Sequence, residues 1–237
     1  MSMNDSLMLI AAILIPAFFL FFIYRVLIYI LNSLHISYKK ALAITFFSMS
    51  ATFFPNLFIP TSNHLMIFTF SSWEVGIHPI GVILPLLIII GSFYKIKPDY
   101  LFIFLSLIPI CLISYLMTKP VVDRGIISLF PLYLFPPFMT AVIVFSNKDR
   151  LGDHTSLYAF TLGVLGIIIG ADIAHLPVLL SYSSIATIQA TLGGASGFDL
   201  IILSGILSVL FEKIILQLRT FHDQKNESNI FRIKTFT

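Results

Sequence analysis

The segment Ser156–Pro177, "SLYAFTLGVLGIIIGADIAHLP", joins a long apolar run to two polar side chains, Asp172 and His175. The apolar run continues to Leu179 and reaches the length of about 20 residues that a helix needs to cross the hydrocarbon layer. A carboxylate inside such a helix costs about 2.5–3.5 kcal/mol, so it should face protein or water and mark a functional site. The segment therefore predicts a membrane-spanning helix with a functional aspartate near one end.

The composition of the whole chain supports a membrane location. Hydrophobic residues make up 58% of the 237 residues, charged residues make up 11%, and the mean hydropathy is +0.99. These values differ strongly from those of soluble domains, and they leave no room for a large soluble domain. The single cysteine, Cys111, excludes an intramolecular disulfide. No phosphate-binding glycine loop and no paired His/Cys ligand spacing occurs, so we predict neither a cofactor nor a metal site.

The apolar segments predict an all-α fold, a polytopic bundle of about seven transmembrane helices, some of them broken by proline or glycine. Prolines such as Pro55, Pro131, Pro136 and Pro137 are tolerated at membrane depth where other groups satisfy the freed backbone carbonyls. We expect kinks at these positions. The predicted spans are residues 7–31, 41–59, 78–94, 100–117, 126–145, 156–179 and 198–216.

The basic residues predict how this bundle is oriented. An outer N-terminus places nearly all of them on the cytoplasmic side, as positively charged inner loops require. Only Lys119 and Arg124 then fall outside. We therefore predict a cell-membrane protein with a transmembrane domain over residues 1–217 and a basic cytoplasmic tail over residues 218–237. The basic residues placed inside are Arg25, Lys39, Lys40, Lys95, Lys97, Lys148, Arg150, Lys213, Arg219, Lys225, Arg232 and Lys234.

The tail and several isolated polar residues have simpler interpretations than a binding site. The tail also contains Asp223 and Glu227, which favours a solvated segment over one that binds nucleic acid. Glu212 precedes Lys213 and can pair locally or extend to the interface. The loop histidines His35, His64, His154 and His222 are expected to be solvated, and Trp73, Tyr94 and Tyr100 fit an interfacial aromatic belt.

Two aspartates form the candidate site. Asp172 lies late in the sixth predicted span and Asp199 early in the seventh, so the topology places both near the outer side at similar depth. Asp172 and His175, at positions i and i+3, share a helix face and could pair. If the two carboxylates meet, they share a proton and form the catalytic arrangement of aspartic proteases. The alternative is that Asp199 only caps the N-terminus of the seventh helix.

Glycines precede Asp199 in the stretch "TLGGASGFDLIILSGILSVLFE". Gly193, Gly194 and Gly197 would let a backbone approach closely, either a substrate peptide or a neighbouring helix. Gly205, in the same stretch, leaves the same two alternatives open. With His175, the first three are the predicted substrate-binding residues.

The order of these motifs resembles the domain of unknown function 1614 family of polytopic membrane proteins from archaea and bacteria. The resemblance begins at Ala41 and is strongest over "YAFTLGVLGIIIGADIAHLP" and "LGGASGFDLIILSGILSVL", which are similar to the family's Gly-Ala-Asp and Gly-Gly-Ala-Gly-x-Phe-Asp signatures. It implies the multi-pass architecture, whereas the family carries no established activity. Further similar segments are "SMSATFFPNLFIP", "VGIHPIGVILPLL" and "DRGIISLFPLYLFPPFMTA".

The segment around Asp199 also resembles, more distantly, the Gly-x-Gly-Asp segment of intramembrane aspartyl proteases of the signal-peptide-peptidase and presenilin class. Here Gly197 and Phe198 separate Ser196 from Asp199, and Ala171 stands where that class has a tyrosine before its first aspartate. Shared pattern alone does not carry activity.

Three functions fit the sequence. The first is an intramembrane aspartyl protease that acts on a membrane protein or peptide through Asp172 and Asp199. The second is a proton-coupled transporter or ion pathway in which the Asp172–His175 pair relays protons. The third is a non-catalytic membrane subunit whose polar residues hold helices together. The lipid bilayer is the one partner common to all three, and the sequence does not fix an oligomeric state.

Overall fold

A computed structural model describes residues 3–53, 65–94, 96–121, 125–182, 188–194 and 199–234. The fold is a helical bundle, as the hydropathy pattern predicts. The α-helices within these ranges are α1 (Met3–Ser33), α2 (Tyr38–Phe53), α3 (Leu84–Phe93), α4 (Tyr100–Met117), α5 (Phe135–Ser146), α6 (Lys148–Leu151), α7 (Thr155–Ile167), α8 (Ala174–Ser181) and α9 (Leu200–Lys234).

Two π-helical turns interrupt this regular pattern. Pro79–Ile83 leads directly into α3, and Ile168–Ile173 joins α7 to α8. Each turn has one extra residue per hydrogen-bonded ring, which widens the helix and changes the directions of its side chains. Asp172 lies in the second of these turns, so its direction does not follow the regular helix period.

Short strands occupy one end of the bundle and were not predicted from the sequence. Strands β1 (Leu65–Phe70) and β2 (Trp73–Ile77) form an antiparallel hairpin. Strand β5 (Ile188–Leu192) pairs in parallel with β2, from Trp73 opposite Ile188 to Ile77 opposite Leu192. A second hairpin consists of β3 (Lys119–Val121) and β4 (Gly125–Ile127). Strand β5 therefore holds the chain in an extended conformation shortly before Asp199.

Helix α7 lies at the centre of the core. Nearly all its residues are buried, and it packs against α4, α5 and α9. Small residues allow the close contact with α9, since a Cβ at Gly205 would lie 2.7 Å from Val164 Cγ2 and 2.9 Å from a Phe160 ring carbon. Of the two alternatives for Gly205, the structure therefore fits helix packing.

Four helical segments among the described residues are long and apolar enough to cross a membrane, namely Leu14–Ser33, Tyr100–Met117, Lys148–Ser181 and Leu200–His222. Two shorter apolar helical segments are Pro79–Phe93 and Leu132–Ser146. Helix α2 covers the first part of the predicted span 41–59, and residues 54–59 lie outside the described ranges. Phe18, Phe19, Phe21 and Phe22 of α1 are all exposed, as in a membrane helix that faces lipid.

The bundle has one predominantly basic end. Contacts across it join the α1–α2 turn to the segment before α7 through His35 and His154, and α4 to α6 through Asp99 and Arg150. This end also contains Lys39, Lys40, Lys97, Lys148 and Lys213. The opposite end holds the sheet, Asp172 and Asp199. Among the described residues it contains one Lys or Arg, namely Lys119. Helix α9 continues to Lys234, so the described part of the predicted tail is helical.

Candidate functional site

Asp172 and Asp199 line the same cavity at the sheet end of the bundle. The cavity has a volume of about 450 Å³. The charges of the two carboxylates interact, and both side chains are partly exposed to the cavity. Its lining consists of Trp73, Gly125, Ile126, Asp172, Leu176, Leu179, Ile188, Gln189, Ala190, Thr191, Leu192, Gly193, Gly194, Asp199 and Leu200.

The π-helical turn and its glycine position Asp172. A Cβ at Gly170 would collide with the backbone of Cys111 in α4, so the absence of a side chain allows these two helices to touch. Asp172 lies two residues later, and its carboxylate accepts a hydrogen bond from the Gly193 backbone N–H. This hydrogen bond therefore joins the sixth predicted span to the segment that contains Gly193 and Gly194.

Asp199 lies immediately before α9. Its Oδ1 accepts a hydrogen bond from the Ile201 backbone N–H at 2.9 Å, and its backbone carbonyl accepts from Leu203 N–H at 2.9 Å. This is N-cap geometry, which satisfies free backbone N–H groups of the first turn. Asp199 can cap α9 and line the cavity at the same time, because the cap uses only one of its carboxylate oxygens.

The glycines before Asp199 differ in their surroundings. Gly193 has φ = +72°, a conformation that favours glycine, and a Cβ at Gly81 would collide with the Gly193 carbonyl. Gly193 and Gly194 both line the cavity. Gly197, the third glycine of the predicted approach surface, lies outside the described residues.

His175 does not form the predicted pair with Asp172. Its ring is buried and stacks on Tyr115, with ring centroids 4.3 Å apart. The Nε2 atom lies 3.1 Å from both the Tyr115 and the Thr118 carbonyl oxygens, and Nδ1 has no hydrogen-bond partner among the described residues. A nitrogen between two carbonyls carries the proton, so His175 donates to the end of α4. Here it anchors α8 to α4.

His78 is a neighbour of the site that the sequence analysis did not assign. Its Nδ1 accepts hydrogen bonds from Ile80 N–H at 3.3 Å and Gly81 N–H at 3.1 Å. Its backbone N–H donates to the Leu192 carbonyl at 2.9 Å, which ties the first π-helical turn to β5. The His78 side chain also interacts electrostatically with Asp199. The signal in the sequence is a histidine before a proline in an otherwise apolar stretch, "GIHPIG".

Strand β5 forms one wall of the cavity. All five of its residues line the cavity, and β5 is the last strand in the order β1-β2-β5. Trp73 also lines the cavity, and its Nε1 donates a hydrogen bond to the Tyr182 carbonyl oxygen at 2.9 Å. Within the described ranges, no group of three or more His, Cys, Asp or Glu side chains is placed to hold a metal ion.

Comparison with known proteins places the chain in a family. Residues 75–211, more than half of the chain, match a family model described as "Protein of unknown function (DUF1614)". No curated protein and no solved structure matches the chain. The matched range contains both aspartates, and it confirms the family resemblance that the motifs indicated.

Proposed function

We propose that this chain, which belongs to the DUF1614 family of proteins of unknown function, is an intramembrane aspartyl peptidase with Asp172 and Asp199 as its catalytic residues. One observation carries the proposal, namely that two carboxylates from different helical segments line one cavity. A purely structural role in holding helices together would not require two acids in one cavity, since polar contacts between membrane helices average only about 0.6 kcal/mol.

In the proposed reaction the two carboxyl groups share one proton. The ionised group takes a proton from a water molecule while the water oxygen attacks the peptide carbonyl carbon. The protonated group gives its proton to the carbonyl oxygen, which produces a tetrahedral diol. Transfer of a proton to the amide nitrogen then breaks the C–N bond and releases an amine and a carboxylic acid. The pair acts as a unit, so the two roles are not divided between Asp172 and Asp199.

The proposed substrate is an apolar peptide in an extended conformation. A helix buries its peptide carbonyls in hydrogen bonds, so a membrane-spanning substrate must unwind before water can attack it. In the described part of the chain, β5 is the last strand of its sheet, and an extended peptide can add to such an edge. Gly193 and Gly194 leave room beside Asp172 for this backbone, and Gly197 is proposed for the same role.

Substitution of each aspartate tests the catalytic assignment. The full chain is reconstituted in liposomes with a fluorogenic library of single-span apolar peptides. Asp172→Asn and Asp199→Asn should each lower cleavage about 100-fold or more, the usual contribution of a general acid or base. Asp149→Asn, which changes an exposed acid at the other end, is the matched control. Full cleavage by both aspartate variants would exclude the dyad.

A transition-state mimic tests the same site without knowledge of the substrate sequence. A photoreactive peptide isostere with a hydroxyl in place of the scissile carbonyl resembles the tetrahedral diol, and such mimics bind more tightly than substrates. We expect it to label the unsubstituted protein and the Asp149→Asn control. Labelling of Asp172→Asn and Asp199→Asn at the same level would contradict the proposal.

Proton-coupled transport is the second candidate, because α9 carries a further buried acid. Glu212 has no exposed surface and lies at the basic end, whereas Asp199 lies at the start of the same helix. Buried acids of this kind mark proton pathways in membrane proteins. A proton flux, driven by a pH difference across the liposome membrane and abolished by both Asp172→Asn and Glu212→Gln, would favour transport. Peptidase activity requires only the aspartate pair.

We also propose that the basic end faces the cytoplasm of a cell membrane and that the cavity with both aspartates faces outward. The concentration of Lys and Arg at one end supports this orientation. It places the N-terminus outside and α9 with its basic C-terminal part inside.

A further inference from the structure

A groove opens at the basic end between α2 and α3, far from Asp172 and Asp199. We call it the lateral groove and define it by His35, Lys40, Ile44, Leu87, Ile88 and His154. Its volume is about 730 Å³, which is large enough for part of a lipid molecule. Its walls combine polar groups near the α1–α2 turn with apolar side chains of α2 and α3.

The polar part of the lateral groove favours an anion. His154 Nδ1 and His35 Nε2 lie 3.1 Å apart, so one ring donates a hydrogen bond to the other. Lys40 supplies a permanent positive charge, and no acidic side chain lines the groove in the described part of the chain. The groove also contains Ser92, whose Oγ is buried and has no hydrogen-bond partner among the described residues.

The apolar part continues into the bundle. Ile44, Leu84 and Ile88 also line a second cavity of about 50 Å³. That cavity shares Leu27, Ser48 and Ile206 with a third one of about 220 Å³. A polar, basic opening followed by a row of apolar cavities matches the shape and polarity of a phospholipid.

We propose that the lateral groove binds an anionic glycerophospholipid of the membrane leaflet at the basic end. Its phosphate group lies against Lys40 and the His35–His154 pair. One acyl chain follows Ile44, Leu87 and Ile88 toward the inner cavities. Charge complementarity selects the headgroup, and the apolar cavities require a lipid rather than a free phosphate ion.

Two neighbouring lysines provide a matched test of headgroup selection. Lys39 and Lys40 are both exposed on α2, but only Lys40 lines the groove. The full chain is reconstituted in phosphatidylcholine membranes with spin-labelled phosphatidylglycerol or spin-labelled phosphatidylcholine as probe. The association constants of the two probes are measured by electron paramagnetic resonance.

The expected result is a preference for phosphatidylglycerol that Lys40→Ala lowers roughly fivefold, the ratio for about 1 kcal/mol per basic residue near a membrane surface. Lys39→Ala should leave it nearly unchanged. Inorganic phosphate at high concentration should not displace the bound probe. Equal association of both probes with the unsubstituted protein, or equal effects of the two lysine variants, would overturn the proposal.

A steric variant tests the acyl-chain part. Gly91 lines the groove, and a Cβ built there meets no atom within 4 Å, so a side chain can be attached at this position without a collision at its Cβ. Gly91→Phe should fill the groove and reduce the tightly bound fraction of both probes. An unchanged bound fraction, in a variant that remains folded, would show that lipid does not enter the groove.

Discussion

At the scale of single residues, the surroundings of a polar side chain decide its role, and the sequence shows these surroundings only when they are local. The cap formed by Asp199 was one of the two alternatives that the sequence offered, because its partners follow it directly in α9. The pairing of His175 with Asp172 was not found, because the π-helical turn over Ile168–Ile173 alters the regular i, i+3 relation. Glu212 was expected to pair locally with Lys213 or to extend to the interface; the Lys213 contact is present, but contacts distant in sequence also bury the carboxylate against α7.

Glu212 gives the first prediction on stability. Its Oε1 accepts from the Thr155 hydroxyl at 2.8 Å and its Oε2 from the Ser156 hydroxyl at 3.1 Å, with Lys213 Nζ at 3.6 Å. Glu212→Ala leaves two buried hydroxyls without their acceptor, so it should lower the free energy of unfolding by about 1–3 kcal/mol. Reversible unfolding in mixed micelles measures this. Asp153→Ala, at an exposed acid of the same end, is the control, and an equal loss in both variants would contradict the assignment.

Asp99 gives a prediction on pH dependence. Its Oδ1 accepts from the Phe102 backbone N–H at 3.0 Å, and its Oδ2 contacts Arg150 at 2.7 Å from Nε. The Phe102 hydrogen bond, and then Arg150, hold the pKa of the Asp99 carboxyl below its usual value. The resulting stability is present above the unfolded pKa of this group and is lost as the pH falls through the lower folded pKa.

Two substitutions at Asp99 separate the cap from the ion pair. Asn can still cap α4 but cannot form the ion pair with Arg150, whereas Ala loses both. Asp99→Ala should therefore destabilise more than Asp99→Asn at neutral pH, and both should have a weaker dependence of stability on acidic pH. Thermal unfolding in detergent across a pH series checks the order. Identical pH profiles for all three proteins would contradict it.

At the scale of elements, the helices could be predicted from composition, whereas the strands could not. Long apolar runs favour helices in a membrane whatever their partners. The strands β1, β2 and β5 are short, and the pairing of β5 with β2, such as Val75 opposite Ala190, joins residues that are far apart in sequence. The π-helical turns were also missed, and the first of them lies where Gly81 packs against Gly193, a contact distant in sequence.

Gly81 and Gly91 provide a matched pair of glycines in one helical segment. A Cβ at Gly81 would collide with the Gly193 carbonyl, whereas a Cβ at Gly91 meets open space. Gly81→Ala should destabilise by about 1–3 kcal/mol, as overpacking usually does, and should weaken peptidase activity by displacing Gly193 from Asp172. Gly91→Ala should be neutral or slightly stabilising. Unfolding and cleavage assays on both variants test this, and equal behaviour would argue against the Gly81–Gly193 contact.

At the scale of the whole molecule, the separation of a basic end from an end with two aspartates follows from the alternating direction of the helices. The charge distribution in the sequence predicted this separation because charge determines orientation in membranes. The cavity volume and the participation of β5 could not be predicted, since they depend on packing between distant segments.

Labelling of single cysteines tests the orientation. In a Cys111→Ser background, Lys119→Cys at the sheet end and Lys97→Cys at the basic end are treated with a membrane-impermeant maleimide in intact cells. We expect labelling at position 119 without permeabilisation and at position 97 only after it. The opposite pattern would invert the proposed topology.

The most direct test of the central claim is a cross-link between the positions of the two aspartates. Asp172→Cys and Asp199→Cys are combined in the Cys111→Ser background, and a short bifunctional thiol reagent is added to the membrane-embedded protein. Asp172→Cys with Asp153→Cys, an exposed position at the far end of the bundle, is the control pair. A shared cavity predicts an intramolecular cross-link, detected by mass spectrometry, in the first pair and none in the second. A first pair that cross-links no better than the control would contradict the account.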